Sequence, residues 1–146
     1  MTMIALDWGQ TRLTPDLALV PSGAVARDDG LRTAILLSLF LDARAGEEDP
    51  LPDPLNRDRR GWVGDVLAPT AGDRMGSRLW LLAREKQTEA TRLRAEIYAR
   101  EALAWLVEES LARAVSVSAA WASTGQLALR IQVAELSYDE TFGVLI

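Results

Sequence analysis

Neither cysteine nor histidine occurs in the 146 residues. Without thiols there can be no disulfide, thiolate metal site or cysteine nucleophile, and the redox compartment leaves no mark on the chain. Without imidazole the commonest general base, the commonest metal ligand and every Ser-His-Asp arrangement drop out together. Lysine is nearly absent as well: Lys86 is the single one among sixteen basic residues, a bias that a GC-rich genome produces without functional demand. The longest apolar run, Ala34 to Leu41, is interrupted by Ser38 and falls far short of the roughly 20 residues that cross a bilayer. Met1 to Gln10 carry no basic and apolar leader region, so a soluble, cytoplasmic protein is expected. A net charge of −5 and a pI near 4.8 argue against a partner bound through its phosphates. No nucleic-acid or membrane partner is therefore expected.

What is present suits one domain over 1–146, with 49% hydrophobic residues available for a core. Residues 1–15 have no clear period and read as a flexible arm whose order depends on a partner. Asp16 to Val20, the turn Pro21-Ser22-Gly23 and Ala24 to Ala26 read as a β-hairpin. Asp28 and Asp29 precede an apolar segment, Leu31 to Leu41, that reads as a buried helix capped by those carboxylates. Residues 42–72, with prolines at 50, 52 and 54, form a long loop. Ser77 is the expected cap of one helix, and Thr88 that of a longer helix ending near Leu111. In the longer helix Leu93, Ile97, Ala104 and Trp105 make an apolar stripe, widened by Tyr98, Ala102 and Leu106, while Arg92, Glu96 and Arg100 form a solvated ladder. From Val115 to Val133 the period changes to two around the turn Ser123-Thr124-Gly125, which predicts an antiparallel hairpin. The tail, 137–146, either adds a strand or docks on a neighbour. The class expected is α+β, a small domain with an N-terminal β-hairpin, central helices and a C-terminal antiparallel β-hairpin.

Arginine, glycine and tryptophan are concentrated between Leu55 and Lys86. Asn56 to Asp65 set three guanidinium groups and two carboxylates around Trp62, with Gly61 and Gly64 beside it. Arginine pairs with carboxylates in planar forks and stacks on aromatic rings. The same residues therefore read equally as a salt-bridged corner of the domain or as a recognition surface. Trp80 and Trp105, flanked by leucines, read as core.

The order Asp58-Arg59-Arg60-Gly61-Trp62-Val63-Gly64-Asp65, then Gly76 to Leu82 with Arg84 and Lys86, then Glu101 to Val107, resembles the Mu-type phage tail protein family, whose members belong to the baseplates of contractile tails. That family is in turn similar to the small wedge subunit, described as lysozyme-like, from which the sheath of contractile machines starts to polymerise. The resemblance runs from about Asp16 to about Val133. It implies a virion protein assembled in the host cytoplasm, with baseplate wedge, tube and sheath proteins as partners. It also implies anchors among Arg57, Arg59, Arg60, Trp62, Asp65, Arg78 and Trp80, and a strand-adding edge on the hairpin at Val117, Leu129, Arg130 and Gln132. Two departures stand out. The family segment reads Gly-Trp-Trp-Gly-Asp where this chain has Val63, and the Glu-Pro-Arg segment of the broader wedge family is replaced by Leu111-Ala112-Arg113-Ala114.

A glycosidase would need two carboxylates about 5 to 10 Å apart, one with a raised pKa. The candidates are Glu47, Glu48 and Asp49 in the proline-rich loop, and Glu108 with Glu109 at a helix end; none is embedded in an apolar stretch. There is no Gly-x-Ser-x-Gly elbow, no phosphate-binding glycine loop and no calcium-loop spacing among Asp49, Asp53 and Asp58. No enzyme activity, cofactor, metal or small-molecule substrate is expected. A regulatory adaptor binding one host protein, and after it a small carboxylate-dependent glycosidase, are the alternatives of different classes.

Overall fold

The computed structural model describes residues 3–9, 14–24, 26–28, 30–68 and 74–146. Its elements are β1 (Met3–Ile4), β2 (Leu6–Gly9), β3 (Thr14–Leu17), β4 (Arg27–Asp28), α1 (Leu31–Phe40), α2 (Glu89–Ala102), α3 (Trp105–Glu108), β5 (Ser116–Ser123), β6 (Gln126–Val133) and β7 (Tyr138–Leu145). Short 3-10 turns fall at Val63–Leu67, Leu79–Leu82 and Ala134–Leu136. The α+β expectation holds.

The C-terminal sheet is antiparallel in the order β5-β6-β7. Alternation decides its faces: Val117, Ala119, Leu127, Leu129, Ile131, Val133, Phe142 and Val144 are buried, while Ser118, Arg130, Gln132 and Thr141 are exposed. Against the apolar side lie Ile35, Leu36 and Leu39 of α1, Ala95, Tyr98 and Ala99 of α2, and Leu79, Leu81 and Leu82 of the middle 3-10 turn. The sequence leaves the tail's pairing open; in the structure it is β7, in register with β6 from Val133↔Tyr138 to Gln126↔Leu145.

α1 matches the expected helix, and it starts after Gly30, which sits at φ 90°. The carboxylates of Asp28 and Asp29, expected to cap it, lie outside what is described. α2 begins as expected, with the Thr88 hydroxyl accepting from Thr91 N at 3.2 Å. It stops at Ala102 rather than near Leu111, and the one-turn α3 follows. Its buried side also differs from the expected stripe. Leu93 and Ile97 are exposed at 45% and 46%, and the helix packs through Ala95 and Ala99 instead. Small side chains bring the helix axis close to β5, where bulky ones would hold it away.

Ser77 starts only the short 3-10 turn. Its hydroxyl accepts from Leu79 N at 3.2 Å and donates to Leu39 O at 2.5 Å. At the N-terminus, the turn at Pro21 to Gly23 closes as expected, with Val20 N on Ala24 O and Ala26 N on Ala18 O. Within the span read as an arm, the described residues include strand: β2 pairs with β3, and β1 with β4. Thr33 holds this ribbon on α1, accepting from Leu6 N and donating to Ile4 O. The Trp8 ring stacks on Phe40 at 3.8 Å, with Phe142 edge-on to both. Apolar burial of one indole therefore orders a segment whose local sequence has no period.

Candidate functional site

The arginine-rich loop leaves the body at Asp42 and returns at Ser77, and its neck is closed by backbone. Ala43 N bonds Ser77 O and Ser77 N bonds Leu41 O, both at 2.9 Å, in a parallel bridge. Gly76 is required there: at φ 104° a Cβ would lie 2.5 Å from the Leu41 carbonyl oxygen. A further bond, Ala45 N to Arg59 O at 2.9 Å, joins the two limbs beyond the neck.

Most of the expected anchors are used within the chain. Arg59 donates to the carbonyl oxygens of Gly46 and Glu47, the latter at 2.7 Å, and so holds the turn at 46–49 from inside. Arg60 pairs with Asp42 at 2.7 Å and lies over the Trp80 ring, 4.4 Å from its centroid. Trp80 in turn donates from Nε1 to Ala43 O at 2.8 Å, which explains its partial burial against the core. Arg78 bridges Asp49 at 3.0 Å and Glu101 at 2.6 Å while lying over Tyr98, tying loop to α2. Asp65 accepts from Met75 N at 2.9 Å. Trp105 donates to Ser38 Oγ at 3.0 Å.

These contacts govern the titration of the clamp. Burial of Asp49 favours its neutral form, but the Gly46 N–H and the Arg78 guanidinium outweigh that and hold its pKa below the usual carboxylate range. Burial of Arg78 opposes its charge, and Glu101 with Asp49 more than offsets this. A glycosidase acid needs a shift opposite to that of Asp49. Among the described residues no three Asp or Glu side chains gather as a metal site would require.

What the loop leaves outside is its tip. Trp62 is 42% exposed and its ring covers Gly64, where a Cβ would lie 2.2 Å from ring carbons. Beyond it Val63, Val66 and Leu67 are exposed, Val66 at 85% and Leu67 at 82%, and Arg44, Arg60 and Arg74 border the same hollow. Arg57 is exposed and forms no ion pair among the described residues. An apolar patch rimmed by arginine, on a loop braced from within, has the composition of a protein-binding surface. Sequence reading names Arg57 and Trp62 but passes over Val66 and Leu67; their signal is an apolar cluster among arginines with no periodic partner.

The hairpin residues divide differently. Val117 and Leu129 face the helices inside the core, and so cannot meet a partner in the folded chain. Arg130 and Gln132 lie on the open face, both bonded to Asp139 of β7, Arg130 at 2.6 and 2.8 Å and Gln132 at 3.0 Å. They sit on β6, which is the central strand and not an edge. The ladder read as solvated covers the β5 edge instead. Arg92 donates to Ala119 O at 3.0 Å and Glu96 accepts from Ala119 N at 2.9 Å, with Arg92 also paired to Glu96 and Glu89. Capping an edge with charged side chains blocks strand addition there. Antiparallel alternation then fixes the other side. Since Ala119 points its backbone outward, Ser118 bonds Arg130, and Thr141 opposite Arg130 points its N–H and C=O away from the sheet. Among the described residues no strand pairs with the outer edge of β7.

A family model described as phage protein GP46 matches residues 31–139, from the start of α1 to the start of β7. The chain is similar to baseplate protein gp46 of Escherichia phage Mu, 49% identical over 104 residues that cover 71% of this chain and 69% of that protein. It is also similar to the Mu-like prophage FluMu protein gp46 of Haemophilus influenzae, 36% identical over 133 residues, covering 91% and 87% respectively.

Proposed function

The chain belongs to the GP46 family of Mu-type phage proteins, and from that membership we propose that it is a structural part of a phage tail baseplate. In the finer reading it is a wedge component of a contractile tail, joining larger wedge proteins to the tube region and offering the first sheath ring a platform. Its partners are then other tail proteins, and its place is the virion, reached by assembly in the host cytoplasm. It binds no nucleic acid or membrane, turns over no substrate and needs no cofactor.

The observation that carries this reading is the exposed tip formed by Trp62, Val63, Val66 and Leu67 on a loop braced by Arg59, Arg60 and Arg78. Exposed tryptophan with arginine beside it is the composition of interface hot spots, and bracing lowers the ordering cost of binding. The test is affinity capture of the tagged chain from an induced lysogen, followed by mass spectrometry. Wild type should bring baseplate, tube and sheath proteins, and Trp62→Ala should lose them while keeping the wild-type melting temperature. Recovery of a single host protein would favour the adaptor, and a large fall in melting temperature would make Trp62 a part of the fold.

A further inference from the structure

Three arginines, Arg44, Arg60 and Arg74, line the hollow beside the loop tip, against one carboxylate, Asp65. Their commitments differ. Arg60 is spent on Asp42 and the Trp80 ring, and one oxygen of Asp65 is held by Met75 N. Arg44 and Arg74 are exposed, and neither has an ion pair among the described residues. The Arg44 guanidinium makes a single long contact there, 3.4 Å to Arg60 O.

Both cations stand on fixed backbone. Arg44 lies between two backbone bonds, Ala43 N on Ser77 O and Ala45 N on Arg59 O. Gly61, at φ 112°, lets the tip close on that limb, since a Cβ there would lie 3.0 Å from the Arg44 Cβ. Arg74 precedes Met75, whose N–H is anchored on Asp65. Two arginines without a carboxylate, set on braced limbs around one hollow, suit the charge-assisted capture of a carboxylate. The surroundings select what carries that anion. The rim is apolar, with Val63 78% exposed and Val66 and Leu67 more so. A phosphate backbone would leave these side chains in water, and its further charges would meet a chain of net −5. A short acidic peptide segment responds to charge within about a Debye length, roughly 8 Å, and can lay an apolar neighbour on the tip.

We propose that the loop-tip hollow binds an acidic segment of a neighbouring tail protein. A carboxylate of that segment is held by Arg44 and Arg74, and the apolar residue beside it packs on Trp62 and Val66. The assignment rests on the baseplate reading and deepens it, adding two arginines to the tip and the chemistry of its partner.

The test puts the photo-crosslinker p-benzoylphenylalanine in place of Val66 in the full-length chain, in particles from an induced lysogen, and sequences the cross-linked peptide by mass spectrometry. That peptide should come from a tail protein and carry Asp or Glu beside the cross-linked residue. Arg44→Gln with Arg74→Gln should lower the yield about tenfold, the loss expected for charge-assisted hydrogen bonds, and keep the wild-type melting temperature. Exchanging the charges, with Arg44→Glu and Arg74→Glu in this chain and arginine for the partner's acidic residue, should restore it. A cross-linked peptide without an acidic residue, no cross-link from particles that contain the chain, or an undiminished yield from the Gln variant would overturn the clamp and leave the baseplate reading standing. A yield abolished by nuclease would overturn it in favour of nucleic acid. A melting temperature lowered by more than about 5 °C in the Gln variant would also overturn it, making these arginines part of the fold. Absence of the unmodified chain from purified tails would remove the baseplate reading itself, and the clamp with it.

Discussion

Single residues divide the arginine cluster into two jobs. Arg59 has its guanidinium inside the turn it holds, whereas Trp62 and Arg57 face out. Arg59→Ala should therefore open the loop locally, raising cleavage by a glutamate-specific protease at Glu47 and Glu48 about tenfold, with little change in global melting because the core is untouched. Unchanged cleavage would mean that the carbonyls of Gly46 and Glu47 do not depend on Arg59. Asp49 adds a pH dependence to the same turn. Its folded pKa lies below the ordinary 3.8, so its contribution is complete above that value and is lost as pH falls through the folded one. The Gly46 amide, which donates to Asp49 at 2.8 Å, should shift in NMR spectra with a midpoint below 3.8, and Asp49→Asn should abolish that titration. A midpoint above 3.8 would show burial to outweigh Arg78. None of this division is legible in sequence, because an arginine bonding its own loop and one awaiting a partner present the same letters and spacing.

Elements were legible where their pattern is local. The capping hydroxyl of Thr88, the apolar α1 and the two-residue period of β5 and β6 all announce themselves within a few residues. The N-terminal ribbon does not, because β1 pairs with β4 across the intervening hairpin and Trp8 is ordered by Phe40 and Phe142. The face of α2 is hidden for a different reason: hydrophobicity points to Leu93 and Ile97, while close packing selects Ala95 and Ala99. That rotation turns Arg92 and Glu96 onto the edge of β5, where they replace a missing strand. Glu96→Ala should leave the Ala119 N–H without its acceptor and destabilise the domain by about 1–3 kcal/mol. Hydrogen exchange at Ala119 should accelerate, and the variant should self-associate through the uncovered edge. Glu96→Gln, which still accepts, should restore exchange protection. Equal protection in wild type and Glu96→Ala would mean that the edge is covered in another way.

At the scale of the molecule, one side of the C-terminal sheet is closed by its own helix and, among the described residues, the other ends at β7, so strand addition to this sheet is open on the β7 side. Parity of the ladder sets which backbone groups face outward. Ala119 directs its backbone to α2, hence Ser118 bonds Arg130, hence Thr141 has both backbone groups pointing away from β6. Proline at 141 deletes one outward donor and no β6–β7 bond, and an edge position tolerates its fixed φ. Thr141→Pro should therefore keep the fold, with a melting temperature within a few degrees of wild type, and stop another chain from adding alongside β7. If the sheath or a wedge neighbour docks by extending this sheet, phage carrying Thr141→Pro will make tubes without attached sheath, visible by negative-stain microscopy. A charge at Gln132 on the central strand tests nothing of the kind, since its side chain faces the open sheet surface and binds Asp139. Normal contractile tails from Thr141→Pro, with the protein folded and incorporated, would eliminate strand addition at β7 and leave the loop tip as the surface through which the subunit is held.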